Sequence, residues 1–200
     1  LGWSPGPNQE IVNLEKACQN FSIKKINKTA AIFSMDKLRW VNAQHIKAMA
    51  LDRLTDLLIA LLKEKKYVTD TFDRKRLESI VSLFKGRLST LEDFLDWADF
   101  VFVDTLSVRE EDKQKYLTQD RKKEFMMLAQ KLEALKEFTP QATESSFRDV
   151  VSELGIASSD LVHPVRVALT GKSVGPGLFE TMSLLGKEKT VERLEKAFIL

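Results

Sequence analysis

Cysteine and histidine are scarce in this chain, which holds one Cys and two His in 200 residues. A structural zinc draws four ligands from closely spaced Cys and His. His45 and His163 stand far apart, so no such site is expected. Cys18 has no partner for an internal disulfide and fits a reducing cytoplasm, where its ordinary role is that of a small core residue. The GKS at Gly171 to Ser173 lacks the upstream glycine and preceding strand that a phosphate-cradling loop requires. There is no GxSxG elbow, and two histidines among many Asp residues do not define a triad. Paired carboxylates occur mainly on Lys-rich helical surfaces, which are ordinarily solvated. No run approaches ~18 apolar residues, and the N-terminus lacks a basic-then-apolar layout, so neither a membrane span nor a secretory signal is expected. These absences leave no self-contained active site.

An excess of one charge is missing too. Lys and Arg number 31 against 29 acids, so net charge alone makes no case for nucleic acid. Distribution says more. From Lys16 to Leu51 seven cations (Lys16, Lys24, Lys25, Lys28, Lys37, Arg39, Lys47) meet one acid, Asp36, which leaves the rest of the chain net acidic. From Leu161 to Phe179 there is no acid at all, while Arg166 and Lys172 supply cations and Gly171, Gly175 and Gly177 leave backbone amides uncovered. Such a stretch suits an anionic or base-like ligand. The competing reading is a solvated lysine-rich face.

The remaining pattern is helical. Asn13 can cap a short helix that turns Leu14, Ala17, Cys18 and Phe21 inward, after an irregular opening set by Pro5, Gly6 and Pro7. Ser22 to Phe33 alternates weakly and reads as an extended, hairpin-like connection. From Ser34 a helix carries Leu38, Val41, Ile46 and Met49, and Leu51, Leu54, Leu57, Leu58, Leu61 and Leu62 mark the next at three-and-four spacing. Leu77, Ile80, Val81 and Phe84 repeat the pattern until Gly86 stops it, which places Arg87 at a joint between helices. Ser89 with Glu92 resembles a capping box ahead of Phe94, Leu95, Ala98 and Phe102. The pattern dissolves from Val103 to Gln119, where a domain boundary is expected. Phe125, Leu128, Leu132 and Leu135 follow, Pro140 closes that helix, and another begins about Thr143 and stops at Gly155. Ser158 or Ser159 begins the next, which turns Leu161, Val165, Ala168 and Leu169 inward, with Pro164 in its first turns or kinking it, and Gly171 closes it. Pro176 suits the first position of the helix carrying Leu178, Phe179, Met182 and Leu185, and Gly186 interrupts before Val191, Leu194 and Phe198.

The run HPVRVALTGKSVGPGLFETMSLLGKE from His163 resembles the C-terminal end of bacterial glutamyl-tRNA synthetases, which carry Q-P-L-R-x-A-L-T-G, P-G-L-F-E and L-L-G-K-E segments. LGWSPG at Leu1 to Gly6 and FSMDKLRWVNAQHIK from Phe33 resemble two further segments of that family, in the same order. The resemblance implies a mainly α fold: helical anticodon-binding domains preceded by the end of a stem-contact domain. The implied division is 1–66 for the end of the stem-contact domain and connecting helices, 67–117 for a first helical anticodon-binding domain and 118–200 for a second. The family's HIGH-like and KMSKS-like signatures are absent here. A chain that opens on Leu1 is accordingly expected to be a fragment without the catalytic domain, inactive alone, with no cofactor of its own. ATP and magnesium would be used by that missing part.

By the same resemblance Arg87 aligns with the arginine that reads the third anticodon base, and Arg166 with the one that contacts the first. Gly175, Pro176, Gly177 and Leu178 match the loop against which the first two bases are read. Lys24, Lys25, Lys28, Arg39 and Lys47 would follow the tRNA backbone. His163 stands where the family has glutamine, and Gly175 where some members have a hydroxyl residue. The implied partner is tRNA(Glu), in a cytoplasmic, monomeric parent enzyme, and arginine at 87 is compatible with an enzyme that charges tRNA(Gln) as well. A helical protein-interaction scaffold with no RNA ligand is the alternative, favoured by the amphipathic helices and balanced charge.

Overall fold

Several helices in this chain open on a side-chain cap, at Asn13, Ser34, Asp73 and Thr139. The computed structural model describes residues 2–6, 9–28, 30 and 32–198. Leu1, Pro7 and Asn8 of the irregular opening, and Thr29 and Ala31 of the connection after it, lie outside the described residues. The helices are α1 (Leu14–Asn20), α2 (Met35–Ala48), α3 (Leu51–Glu64), α4 (Arg74–Phe84), α5 (Asp93–Phe102), α6 (Glu110–Tyr116), α7 (Lys122–Glu133), α8 (Pro140–Leu154), α9 (Ser158–Thr170), α10 (Leu178–Leu185) and α11 (Lys187–Lys196). No strand occurs among the described residues, as the mainly α reading requires.

The N-terminal segment departs from expectation. Asn13 does cap α1, its side chain accepting from the Lys16 amide at 2.9 Å. Yet Leu14 is 79% exposed, Phe21 51% exposed, and Cys18 exposed as well, so this two-turn helix buries no residue. Among the described residues Phe21 finds a ring neighbour only in Trp3, 5.8 Å away. The connection after α1 is a 3-10 turn at Ile23–Lys25 rather than a hairpin. Its weak alternation has no second strand to pair with.

The first helical layer is built from α3, α4 and α5. Leu54, Leu58 and Leu62 bury completely against the Leu77, Ile80, Val81 and Phe84 stripe of α4, each large side chain contributing about 1.5–3 kcal/mol by leaving water. Phe84 meets Phe94 edge-on at 6.1 Å and Phe100 at 6.2 Å. Gly86 does not end α4 by turning left-handed. It lies inside a 3-10 turn, Lys85–Arg87, without positive φ, and the chain leaves the helix because Leu88 is drawn fully into the core. The capping box sits one residue later than expected. The Asp93 carboxylate accepts from the Ser89 and Thr90 amides at 2.7 and 2.9 Å, and the Thr90 hydroxyl accepts from the Asp93 amide at 3.3 Å.

The second layer holds α7 to α11, with Phe125, Leu128, Leu132, Phe147, Val150 and Met182 buried at its centre. Pro140 opens α8 instead of closing α7: Thr139 accepts from the Ala142 amide at 3.2 Å, and a proline in the first turn forfeits no helical donor. Gly155 caps α8 in the left-handed region (φ 64) and Gly186 separates α10 from α11. Pro164 lies inside α9 and cannot donate to the Asp160 carbonyl. Arg121 Nη1 donates to that oxygen instead, at 2.8 Å. Helix α6 was not expected, since it buries nothing. It is defined by charge, with Glu110, Glu111 and Asp112 in its first turn and Lys113 and Lys115 in its last.

One apolar cluster runs from Ile46 to Ala197 through both layers. Polar clasps join them as well. Arg193 of α11 is 6% exposed and donates to the Leu169 carbonyl at 2.6 Å and to the Phe100 and Val103 carbonyls at 2.8 Å each.

Candidate nucleic-acid interface

The loop from Gly171 to Gly177 is fastened at four points by residues far from it in sequence or one helix away. Gly171 turns at φ +74, and a Cβ there would stand 2.6 Å from the Ser107 carbonyl oxygen, so the close approach of these two backbones requires glycine. The Lys172 ammonium donates to the Asp96 carbonyl and to the Asp99 carboxylate, which ties the loop to α5. The Ser173 carbonyl lies 3.2 Å from His163 Nδ1, whose ring stacks on Tyr116 of α6 at 5.9 Å. Arg166 Nη1 donates to the Pro176 carbonyl.

Arg166 thus lies beneath the loop. It is 9% exposed, and Nη1 would be 3.2 Å from a Cβ added at Gly175, so a larger residue would crowd the guanidinium. Burial lowers its pKa, the charge of Arg87 lowers it further, and Glu180 works in the opposite direction. The two arginines, from separate layers, are thus near enough for their charges to repel. Arg87 itself is exposed, its guanidinium carbon 6.0 Å from the Trp97 ring centre of α5. Pro176 and Leu178 are buried, while Gly177 and the 65% exposed Val174 present the outer rim. Helix α10 begins at Leu178, capped by Gly177, so Pro176 stands before the helix instead of at its first position. The Glu180 side chain folds back onto Gly177, where an added Cβ would collide with its Oε2.

Arg39 and Lys47 of α2 line, together with Arg87, Gly86 and Trp40, an open cavity of about 390 Å³. Asn42 holds this seam closed by donating to the Ser89 carbonyl at 2.6 Å. The Asp93 carboxylate lies close by. Burial would raise its pKa, but the Ser89 and Thr90 hydrogen bonds and the Arg39 charge together take it below the ordinary value. Lys24, Lys25 and Lys28 are exposed on the N-terminal segment and do not line this cavity. The arrangement therefore groups Arg87 with Arg39 and Lys47 on one side and with Trp97, which lines a cavity with Lys172, Ser173 and Val174 of the loop, on the other. Trp97, Tyr116 and Arg193, which position these parts, escaped the sequence reading. Trp97 lies in the amphipathic α5 outside the stripe of Phe94, Leu95, Ala98 and Phe102 that marked this helix.

A family model described as an anticodon binding domain matches residues 43–198. The chain belongs to the anticodon-binding domain family. Among curated relatives, glutamate–tRNA ligase 2 of Thermoanaerobacter pseudethanolicus is 37% identical over 198 residues, covering 98% of this chain and 41% of its own length. Glutamate–tRNA ligase 1 of Caldanaerobacter subterraneus subsp. tengcongensis gives the same identity and coverage. The crystal structure of a glutamate tRNA ligase from Elizabethkingia meningosepticum superposes with a TM-score of 0.87 at 26% identity, covering the whole of this chain and 39% of that one. The chain therefore spans about two-fifths of the length of the relatives it matches. No helix among the described residues is long and apolar enough to cross a membrane.

Proposed function

We propose that this chain is the tRNA-binding, anticodon-reading part of a glutamate–tRNA ligase, the enzyme that attaches glutamate to tRNA(Glu) with ATP. The observation that carries this reading is the position of Arg87, which shares one cavity with Arg39 and Lys47 of α2 and stands over Trp97, itself lining a second cavity with Lys172, Ser173 and Val174 of the glycine loop. Unstacked bases of an RNA loop are gripped by guanidinium planes and backbone groups. Arg87 offers an exposed guanidinium and Gly177 an exposed backbone. Arg166 acts from below, holding the loop through Pro176. Arg39 and Lys47, with Lys24, Lys25 and Lys28 further along the N-terminal segment, would meet phosphates. On this reading residues 67–117 and 118–200 are two helical anticodon-binding units, and 1–66 belongs to the stem-contact region. ATP and magnesium act elsewhere in such a ligase, which works as a monomer in the cytoplasm. Arginine at 87 is compatible with tRNA(Gln) as a second substrate.

The test is binding of tRNA(Glu) transcripts across a salt series. Neutralising Arg39 and Lys47 together should flatten the dependence of log K on log salt by about 0.7–0.9 per lost phosphate contact. Arg87→Ala should weaken binding by about 1–3 kcal/mol and relax preference at one anticodon position. Salt-independent binding, or an unchanged affinity in both variants, would favour a protein-interaction scaffold instead.

A further inference from the structure

The glycine loop is tethered unequally to the two layers. His163 and Arg166, which reach the Ser173 and Pro176 carbonyls, belong to α9 and so to the loop's own layer. Among the described residues, Lys172 is the one loop residue that hydrogen-bonds to the other layer, through the Asp96 carbonyl and the Asp99 carboxylate of α5. Those two acceptors bracket Trp97 on that helix. Arg87 stands over the Trp97 ring at 6.0 Å. A continuous chain of contacts thus runs from the loop through Lys172 and α5 to the Arg87 guanidinium.

The Lys172 clasp is placed for transmission more than for stability. Its side chain is 26% exposed and that of Asp99 39%, and ion pairs open to water contribute little to folding. The Arg193 clasp, by contrast, is buried and bonds three main-chain carbonyls. Nor is the Lys172 ammonium free to meet a phosphate, since two acceptors already share it. Its effect is to make the loop and α5 move together.

We infer that Lys172 is a positioning residue that couples the two base-reading surfaces, so that a base misplaced at the loop shifts α5 and with it the ring on which Arg87 rests. The inference rests on the proposed tRNA-binding reading and adds to it a dependence between anticodon positions. Its sign follows from the geometry. A wrong base at either surface displaces the same clasped unit, so a second wrong base meets a unit already displaced and costs less than it would alone. Only a cycle of single and paired changes demonstrates such coupling.

The test measures the affinity of this chain for tRNA(Glu) transcripts with single and paired anticodon substitutions. Arg87→Ala first identifies the position that Arg87 reads, as the one whose preference relaxes. In the parent chain, a substitution there paired with one at another anticodon position should weaken binding less than the product of the two single effects, by about 5-fold or more. In Lys172→Met the paired effect should equal that product, while each single substitution still weakens binding and thermal unfolding stays near the parent's. Asp99→Asn should abolish the coupling in the same way although it changes net charge in the opposite sense, and the double variant should add nothing. A purely electrostatic effect would move the two variants in opposite directions. Multiplicative effects for every pair in the parent chain, or coupling that survives in either variant, overturn the inference and leave tRNA binding intact. So does a salt dependence that flattens by about 0.7–0.9 in Lys172→Met, which marks Lys172 as a phosphate contact. Absence of salt-dependent tRNA binding by the parent chain overturns both readings.

Discussion

Replacement of Arg193 by Met removes the clasp between the layers while keeping a side chain of similar length. The guanidinium makes three bonds to main-chain oxygens of Leu169, Phe100 and Val103, at 2.6, 2.8 and 2.8 Å. Leu169 ends just before the glycine loop, and Phe100 and Val103 flank the end of the helix that carries Trp97. A buried acceptor left without a donor costs about 1–3 kcal/mol, so three set a gross loss of about 3–9 kcal/mol. Against this, removing a buried charge recovers several kcal/mol of desolvation. That recovery is real here, because burial lowers the Arg193 pKa despite opposing help from Asp104, Glu192 and Asp99. Water can also reach part of the gap at Val103, which is only half-buried. The net expectation is a destabilisation of about 2–4 kcal/mol, or roughly 4–15 °C in Tm for a chain of this size. Arg193→Lys should fall between parent and Met, since one ammonium cannot span three divergent acceptors. Urea unfolding of the three proteins, with unchanged m-values, gives the comparison. A Met variant within about 0.5 kcal/mol of the parent would show that the clasp merely balances its own burial.

Other perturbations test single features of the site. Gly171→Ala should cost about 2–4 kcal/mol, combining a left-handed φ with a Cβ only 2.6 Å from the Ser107 oxygen, and thermal unfolding reads it directly. Arg121→Ala removes the donor that replaces the missing Pro164 amide. Because Asp160 is exposed, water limits the loss to about 0.5–1 kcal/mol, and in the Pro164→Ala background the loss should shrink, as a double-mutant cycle would measure. Asp93 is held below its ordinary pKa in the folded chain. Its contribution is thus full above the unfolded value of about 3.9 and fades as pH falls through the lower folded value. Asp93→Asn should lower stability at pH 7 and flatten the acid limb of the stability profile below about pH 4, and an unchanged acid limb would sink this assignment.

Hydrophobic spacing made α3, α4, α7 and α9 legible, because most residues of their apolar stripes at three-and-four intervals bury, although Leu57 of α3 stays 41% exposed. Helix α6 was illegible for the opposite reason: EEDKQKY has no apolar stripe, and its order comes from end charges and packing on α9. The same limit hid the exposure of α1, whose Leu14 and Phe21 have helical spacing but no layer to enter. Contacts that fix the site join residues some 60 to 90 positions apart, such as Lys172 with Asp99, Gly171 with Ser107 and Arg193 with Phe100. No local window contains them.

The acid-free stretch from Leu161 to Phe179 has two causes that composition alone could not separate. In α9, Leu161 and every residue from Pro164 to Thr170 are buried, so a carboxylate there would be desolvated without a partner. That half of the signal is packing. Arg166 survives the same burial because the Pro176 carbonyl accepts from it and Glu180 offsets the repulsion of Arg87. Lys172, the other cation of the stretch, is spent on Asp96 and Asp99. The cations that first marked this run as a ligand site therefore shape the loop, and what it leaves exposed is its rim at Val174 and Gly177. A ligand-facing role for Arg166 then depends on motion of the loop. Arg166→Lys should accordingly disturb the loop and its binding kinetics more than Arg87→Lys does, even though both substitutions keep the charge.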